Sequence, residues 1–287
     1  MNISEILPKI ITAIKAKKEI SAIEKEWIQE QILPLLERYK NIMEKIGNAK
    51  SFTQFSRSKE YYYLLKKIRA ELHAVYGAFQ RKVTRRHDLF EELKLAYKKN
   101  DPEEILALHE QILMTHTSTK ERLPIYTSLY PRLFTKTMIP QTILDVSSGL
   151  NPFSYPWMNT ELFYKTTELA QEDCQLIEEY FHIVGIRGEV IQLNIITEME
   201  KIQALKADIC FMWKLLDTLE YMEKNISRKL ISLINAPWVV VSFSTKTLSG
   251  RPMKKIRRLW FENICQDNGW EFTLEPFENE LFYVVRK

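Results

Sequence analysis

The apolar positions of this chain change period near residue 140. Before it, hydrophobic residues recur every three to four positions; after it, short β-branched runs alternate with helical stretches. The early spacing predicts helices over residues 3–18 and 21–45, the second bent or broken at Pro34, whose ring interrupts the hydrogen-bond ladder. Residues 47–58 read as a loop, and helix resumes over 58–82. Asp101 followed by Pro102 marks another helix start, running to about Met114. Ser118, with Glu121 three residues on, predicts a capped helix continuing to about Phe134.

Beyond residue 140, strands are expected at 142–146, 162–168, 189–194, 207–213, 238–243, 270–275 and 281–285, with helices at 171–184, 221–234 and 252–266. Residues 276–280 are too few for a crossover, so the last two strands should pair antiparallel. Strand–helix alternation implies right-handed crossovers and a mainly parallel sheet with helices on both faces. The expected class is α/β: a Rossmann-like sheet of seven strands preceded by an all-helical domain, with domains at 1–115 and 116–287.

Composition narrows the class further. A chain of 287 residues, 45% hydrophobic and 27% charged, can bury a substantial core. No apolar run approaches the ~18 residues of a membrane span, and the N-terminus lacks the order of a secretory signal. Cys174, Cys210 and Cys265 are odd in number and widely spaced, and the five histidines form no HExxH pattern. The expectation is a cytoplasmic protein, with neither membrane nor metal among its partners.

The net charge of +4 hides an asymmetry: residues 1–100 hold 21 basic against 12 acidic side chains, and the remainder 20 against 25. Residues 51–86 concentrate Lys66, Lys67, Arg69, Arg81, Lys82, Arg85 and Arg86, with Phe52, Phe55, Tyr61, Tyr62, Tyr63, Tyr76 and Phe79 interleaved. Singly, each fits a solvated helix face or a helical core. Together they suit a polyanion with exposed bases, met by phosphate contacts and stacking.

The candidate chemistry sits at strand ends. A β-branched run carrying Asp145 breaks into the small-residue turn Ser147, Ser148, Gly149, followed by Asn151, Pro152 and Pro156. There is neither the Gly-Lys-Ser/Thr of a phosphate loop nor the three glycines of a dinucleotide fingerprint. Glu168 ends the second strand, where a carboxylate can accept from both hydroxyls of a ribose; Asn194 ends the third, suited to an adenine edge; Lys214 and Leu215 follow the fourth. A buried strand ending in an ordinary turn would share the first feature. Convergence at successive strand ends favours S-adenosyl-L-methionine (SAM). The fifth strand runs into a loop at 242–251 whose hydroxyls, Lys246 and Arg251 suit phosphate or base-edge contacts, and Lys254, Lys255, Arg257 and Arg258 extend that surface.

Several segments resemble the aminoglycoside-resistance 16S ribosomal RNA (guanine-N7) methyltransferases. They are HTSTKERL at 116–123, LDVSSGLNP at 144–152, KLL at 214–216, SFSTKTLSGR at 242–251, WFE at 260–262 and ELFY at 280–283, with LHAVYGAF at 72–79 in the helical part. The resemblance implies methyl transfer from SAM to N7 of a decoding-site guanine in the 30S subunit, with aminoglycoside resistance as the consequence; a methyltransferase of another RNA or of adenine N1, or a non-catalytic RNA-binding assembly factor, is the alternative. A monomer is expected, because one enzyme must fit a single asymmetric RNA surface. It implies that Arg122 holds the SAM carboxylate, Gly149 lines the methionine part and Glu168 takes the ribose. Asn194 would lie near the adenine, with Lys246 and Arg251 on the RNA side and the N-terminal helices docked on the small subunit. The chain departs from the family pattern at Ser148 (usually Cys), Glu168 (Asp) and Asp217 (Pro), and residues 1–50 do not map onto it. Guanine N7 needs no general base, and a flipped base would stack on an aromatic such as Trp213 or Phe243.

Overall fold

The computed structural model describes residues 2–21, 23–73, 83–247 and 250–287. Two compact units divide between Gln80 and Arg81. In the first, helices α1 (Ile3–Lys15), α2 (Lys25–Arg38), α3 (Lys40–Asn48), α4 (Phe52–Ser56) and α5 (Lys59–Leu72) form a bundle. Ile6, Ile10, Ile14, Trp27, Ile28, Ile32, Leu64 and Ile68 lie buried in it. Pro34 stands inside α2, and the chain breaks at Tyr39 instead (φ −103°, ψ 78°). Apolar burial on both sides of Pro34, by Ile32, Leu35 and Leu36, outweighs the single hydrogen bond the proline removes. The expected 47–58 loop contains α4, capped by Ser51. Residues 74–82, with Arg81, Lys82, Tyr76 and Phe79, lie outside the described residues.

The second unit opens with α6 (Val83–Lys99) and α7 (Pro102–Leu113), then α8 (Thr117–Arg122), a 3-10 turn and α9 (Tyr126–Lys136). The compact boundary therefore falls ahead of the expected 115/116. The reason is packing: Leu89, Phe90 and Leu93 of α6 and Leu108 and Ile112 of α7 share one core with the sheet residues Ile143, Tyr164 and Phe211. Ser118 does not cap α8; His116 holds the cap position, and the Ser118 hydroxyl bonds the His116 ring.

The sheet contains β1 (Thr142–Val146), β2 (Phe163–Glu168), β3 (Gly188–Gln192), β4 (Ile209–Trp213), β5 (Trp238–Ser244), β6 (Glu271–Pro276) and β7 (Glu280–Arg286). Their order is β3-β2-β1-β4-β5-β7-β6, with β7 antiparallel to both neighbours and the rest parallel. Alternate residues of β1 and β4 feed two cores, Ile143 and Phe211 one face, Leu144 and Met212 the other. Helix α10 (Gln171–Val184) follows β2 as expected. The expected 221–234 helix is two, α11 (Leu216–Met222) and α12 (Ile226–Leu233), separated where Asn225 turns to φ +68° and Glu220 accepts from the Asn225 and Ser227 amides. α13 (Leu259–Asp267) begins later than expected, because an extended stretch precedes it, bridged from Lys246 to Pro252 and bonded from Met253 N to Thr245 O. Among the described residues no helix is long and apolar enough to cross a membrane.

Candidate functional site

The strand order turns back between the parallel strands β1 and β4, and their carboxyl ends open a crevice there. Both strands leave it through left-handed residues: Ser147 (φ +52°) after β1 and Lys214 (φ +57°) after β4. A non-glycine residue in this conformation costs free energy, and such positions gather at working sites.

Gly149 (φ +58°) completes the first turn. A β-carbon there would stand 2.9 Å from His116 Cε1, so the position demands glycine for two reasons. His116 is fully packed; burial first, then Arg86, Arg122 and Lys214, hold its pKa well below the usual value, so the ring is neutral. The Gly149 amide donates to Glu168 at the end of β2, which also accepts from Leu169 N (3.3 Å). Burial, with Asp173 nearby, pushes the Glu168 carboxyl up to about 8. Asn194 lies just past β3, beside Leu193, whose amide bonds the Glu168 carbonyl (2.8 Å). Its Oδ1 accepts from Ile196 N (3.0 Å) and Thr197 N (3.4 Å), shaping the turn after the strand. Ser148, where the family pattern has Cys, bonds Thr166 Oγ1 (2.6 Å) and ties β1 to β2.

Beneath these residues lies a buried polar network. Asp145 accepts from Asn151 Nδ2 (2.8 Å) and the Tyr164 hydroxyl (2.7 Å), and burial raises its pKa to about 6. At 1% exposure, its carboxylate is taken up by Asn151 and Tyr164 at the base of the crevice. Asn151 Oδ1 accepts in turn from Arg122 Nη1 (3.2 Å) and Tyr126 (3.0 Å). Arg122 lies over the Trp213 ring, 4.9 Å from its centroid, and pairs with Glu280. Glu280 also accepts from Ser242 and takes Lys214 Nζ at 3.3 Å; Lys214 meets Glu121 on its other side. Arg122, Gly149, Glu168, Asn194, Lys214 and Leu215 thus gather at one edge of the sheet. Asn151, Glu280 and His116 are the partners that strand-end reading missed, although each lies within a motif quoted above.

The substrate-side expectations divide. Lys246 pairs with exposed Glu278 (3.2 Å), and Arg251 is exposed on a turn closed by Thr247 N to Arg251 O (2.8 Å). Arg258 is buried, its Nη2 2.7 Å from Asp217, so Asp217 fastens the stretch before α13 to α11. Neither Trp213 nor Phe243 is free to receive a base: Trp213 stacks on Phe211 (4.6 Å), and Phe243 is enclosed by Trp260, Phe261 and Tyr283. Within the basic segment, Lys66 and Arg85 are exposed and Lys67 pairs with Glu71 (3.3 Å). Arg86 is not a surface residue: it is 3% exposed, bonded to Asp173 (3.2 Å) and Thr115 (3.0 Å), because α6 lays it against the start of α10. Arg69 points inward and donates to the Ala13 carbonyl (2.5 Å). Phe55 and Tyr61 are core residues, while Tyr62 and Tyr63 are exposed.

A seven-stranded sheet with a reversed penultimate strand, holding a glycine turn and an acid at successive strand ends, defines a Rossmann-like methyltransferase fold. Residues 55–284 match the family model described as Ribosomal RNA methyltransferase (FmrO), and the chain belongs to that family. A 16S rRNA (guanine(1405)-N(7))-methyltransferase of Frankia casuarinae is 25% identical over 228 residues, 78% of this chain and 80% of that protein. One of the same name from Micromonospora echinospora is 28% identical over 227 residues, 78% of this chain and 82% of its own. The fold is shared with the 16S rRNA methyltransferase RmtF, solved in complex with S-adenosyl-L-homocysteine (TM-score 0.78, 23% identity, 100% of this chain and 99% of that one).

Proposed function

We propose that this chain transfers a methyl group from SAM to N7 of a decoding-site guanine in 16S ribosomal RNA, within the 30S subunit. The reading places it in the cytoplasm as a monomer that confers resistance to aminoglycosides binding at that site. The observation that carries it is the crevice built by Gly149 and Glu168 in a chain whose family acts on ribosomal RNA.

The donor set fits SAM. Glu168 offers a carboxylate at a strand end to a ribose diol, and Gly149 lets the backbone approach the methionine part. Arg122 supplies positive charge toward a carboxylate, and Leu215 an apolar wall. SAM bound there supplies an electrophilic methyl on a positively charged sulfur. Guanine N7 carries a lone pair and no proton, so the chain has no proton to remove. Its work is alignment and exclusion of water. Lys246 and Arg251 hold the RNA beside the crevice, while Lys66, Lys67 and Arg85, with Arg81 and Lys82, dock the helical part on phosphates.

Incubation of 30S subunits with the protein and SAM tests this. N7-methylguanine labilises its glycosidic bond, so reduction and aniline treatment should cut 16S RNA at one position, with a matching mass shift in the nuclease fragment. A reverse-transcriptase stop without aniline cleavage would instead assign the methyl to adenine N1.

A further inference from the structure

The helical unit contains a cavity of about 480 Å³ between the end of α1 and the last turns of α5. Its described walls are Lys17, Ile20, Lys66, Arg69, Ala70 and His73. Four of these come from α5 at positions i, i+3, i+4 and i+7, a single helical stripe, and Lys17 faces them from beyond α1. No carboxylate is among the described walls; Glu71, which could neutralise the stripe, lies off it and pairs with Lys67.

Arg69 is the telling residue. Among the described residues the buried arginines have carboxylates: Arg86 has Asp173, Arg122 has Glu280 and Arg258 has Asp217. Arg69 is only part-buried, yet its Nε is sealed from solvent with no acceptor among the described residues, and its Nη2 donates to the Ala13 carbonyl. A guanidinium nitrogen sealed from water with no acceptor is costly. Two lysines, Lys17 and Lys66, converging on the same space add mutual repulsion. An anion in the cavity would relieve both.

We infer that this cavity is an oxyanion site that takes a phosphate group, with Lys17, Lys66 and Arg69 supplying charge and His73 a further donor. Arginine and lysine around a concave site match tetrahedral oxyanions, arginine through its planar fork and lysine as a mobile point charge. The phosphate comes either from an RNA backbone or from a small free phosphate. Only the first source rests on the docking role proposed above.

The test titrates inorganic phosphate into the full chain by calorimetry, with the Lys17→Ala/Lys66→Ala double variant as the comparison. Both lysines are exposed, so circular dichroism should show an unchanged fold. Phosphate affinity should fall roughly tenfold or more in the double variant. Binding of 30S subunits, measured in parallel with SAM affinity as the internal control, separates the sources. Loss of both phosphate and subunit binding identifies an RNA phosphate; loss of phosphate binding alone identifies a small free phosphate. Failure of the wild-type chain to bind phosphate, or equal affinity in the variant, overturns the inference. The cleavage assay on the wild-type chain reads methyl transfer separately: cleavage without phosphate binding overturns this inference and leaves the proposed function standing.

Discussion

Arg122 and Glu280 pair at 3.1 Å inside the protein, with side chains 2% and 1% exposed. The contact ties α8 to the first residue of β7 and, through Asn151, to β1. Removing one partner strands the other charge. Glu280→Ala should therefore destabilise the fold by roughly 3–5 kcal/mol, whereas an apolar replacement of both residues should cost less. Urea unfolding of Glu280→Ala beside Arg122→Met/Glu280→Leu decides this. Equal losses would mean the pair is not the source of the cost.

The ribose contact proposed for Glu168 makes cofactor binding depend on pH. Its pKa near 8 in the free protein means that it carries a proton at neutral pH, mainly because it is buried. A ribose diol is best met by the ionised carboxylate. Affinity for S-adenosyl-L-homocysteine should then rise with pH toward about 8 and level off above it, and Glu168→Gln should flatten the profile. Glu168→Ala should weaken binding by roughly 1–3 kcal/mol. A wild-type profile with no slope below pH 8 would remove Glu168 from this role.

Gly149→Ala meets both a left-handed backbone and the His116 ring. The expected result is a folded protein with cofactor affinity reduced roughly 5- to 150-fold, since about 1–3 kcal/mol of strain falls on the turn that forms the crevice. His116→Ala in the same chain should recover part of the loss, because it relieves the contact and leaves the dihedral cost. No recovery would show that backbone strain alone is responsible.

His109 makes stability depend on pH in a separate place. Burial holds its pKa to about 4, while its ring meets the Phe153 carbonyl (2.7 Å) and the Tyr97 hydroxyl (3.0 Å). The unfolded chain takes up this proton near 6.5, so the contribution is whole above that pH and is lost as pH falls toward 4. It is on the order of 3 kcal/mol. Glu168 acts oppositely: its folded pKa is raised, so its contribution is present below about 4.5 and is lost as pH climbs through 8. Comparing urea midpoints of wild type and His109→Gln at pH 7.5 and 5 isolates the histidine, and parallel pH slopes would contradict the assignment.

How far the sequence foretold these sites depends on how local each cause is. β1 and α10 match their expected bounds because a β-branched run and an amphipathic repeat each carry their own signal. Gly149, Glu168 and Lys214 were legible as strand-end residues. Asn151 and Glu280 were not, since their roles arise from partners 29 and 158 residues from them, at Arg122. Arg86 looked like part of a basic surface for the same reason: Asp173, 87 residues on, internalises it. The late start of α13 likewise follows from the Arg258–Asp217 pair, which no local propensity encodes.

Lys246 and Arg251 follow β5, Arg251 exposed and Lys246 paired with the exposed Glu278. An exposed pair of this kind adds little to stability. Alanine at either position should leave the unfolding midpoint and SAM affinity near wild type while lowering turnover on 30S subunits by tenfold or more, as expected for a charged contact to RNA. Asp217→Ala should act on the same step by another route, releasing Arg258 and with it the stretch before α13. Its turnover loss should come with a lower melting temperature, which the Lys246 and Arg251 variants should not show. Single-turnover methylation beside calorimetry of cofactor binding separates the two routes. If Lys246→Ala and Arg251→Ala lose cofactor binding in step with activity, the loop belongs to the SAM side of the crevice.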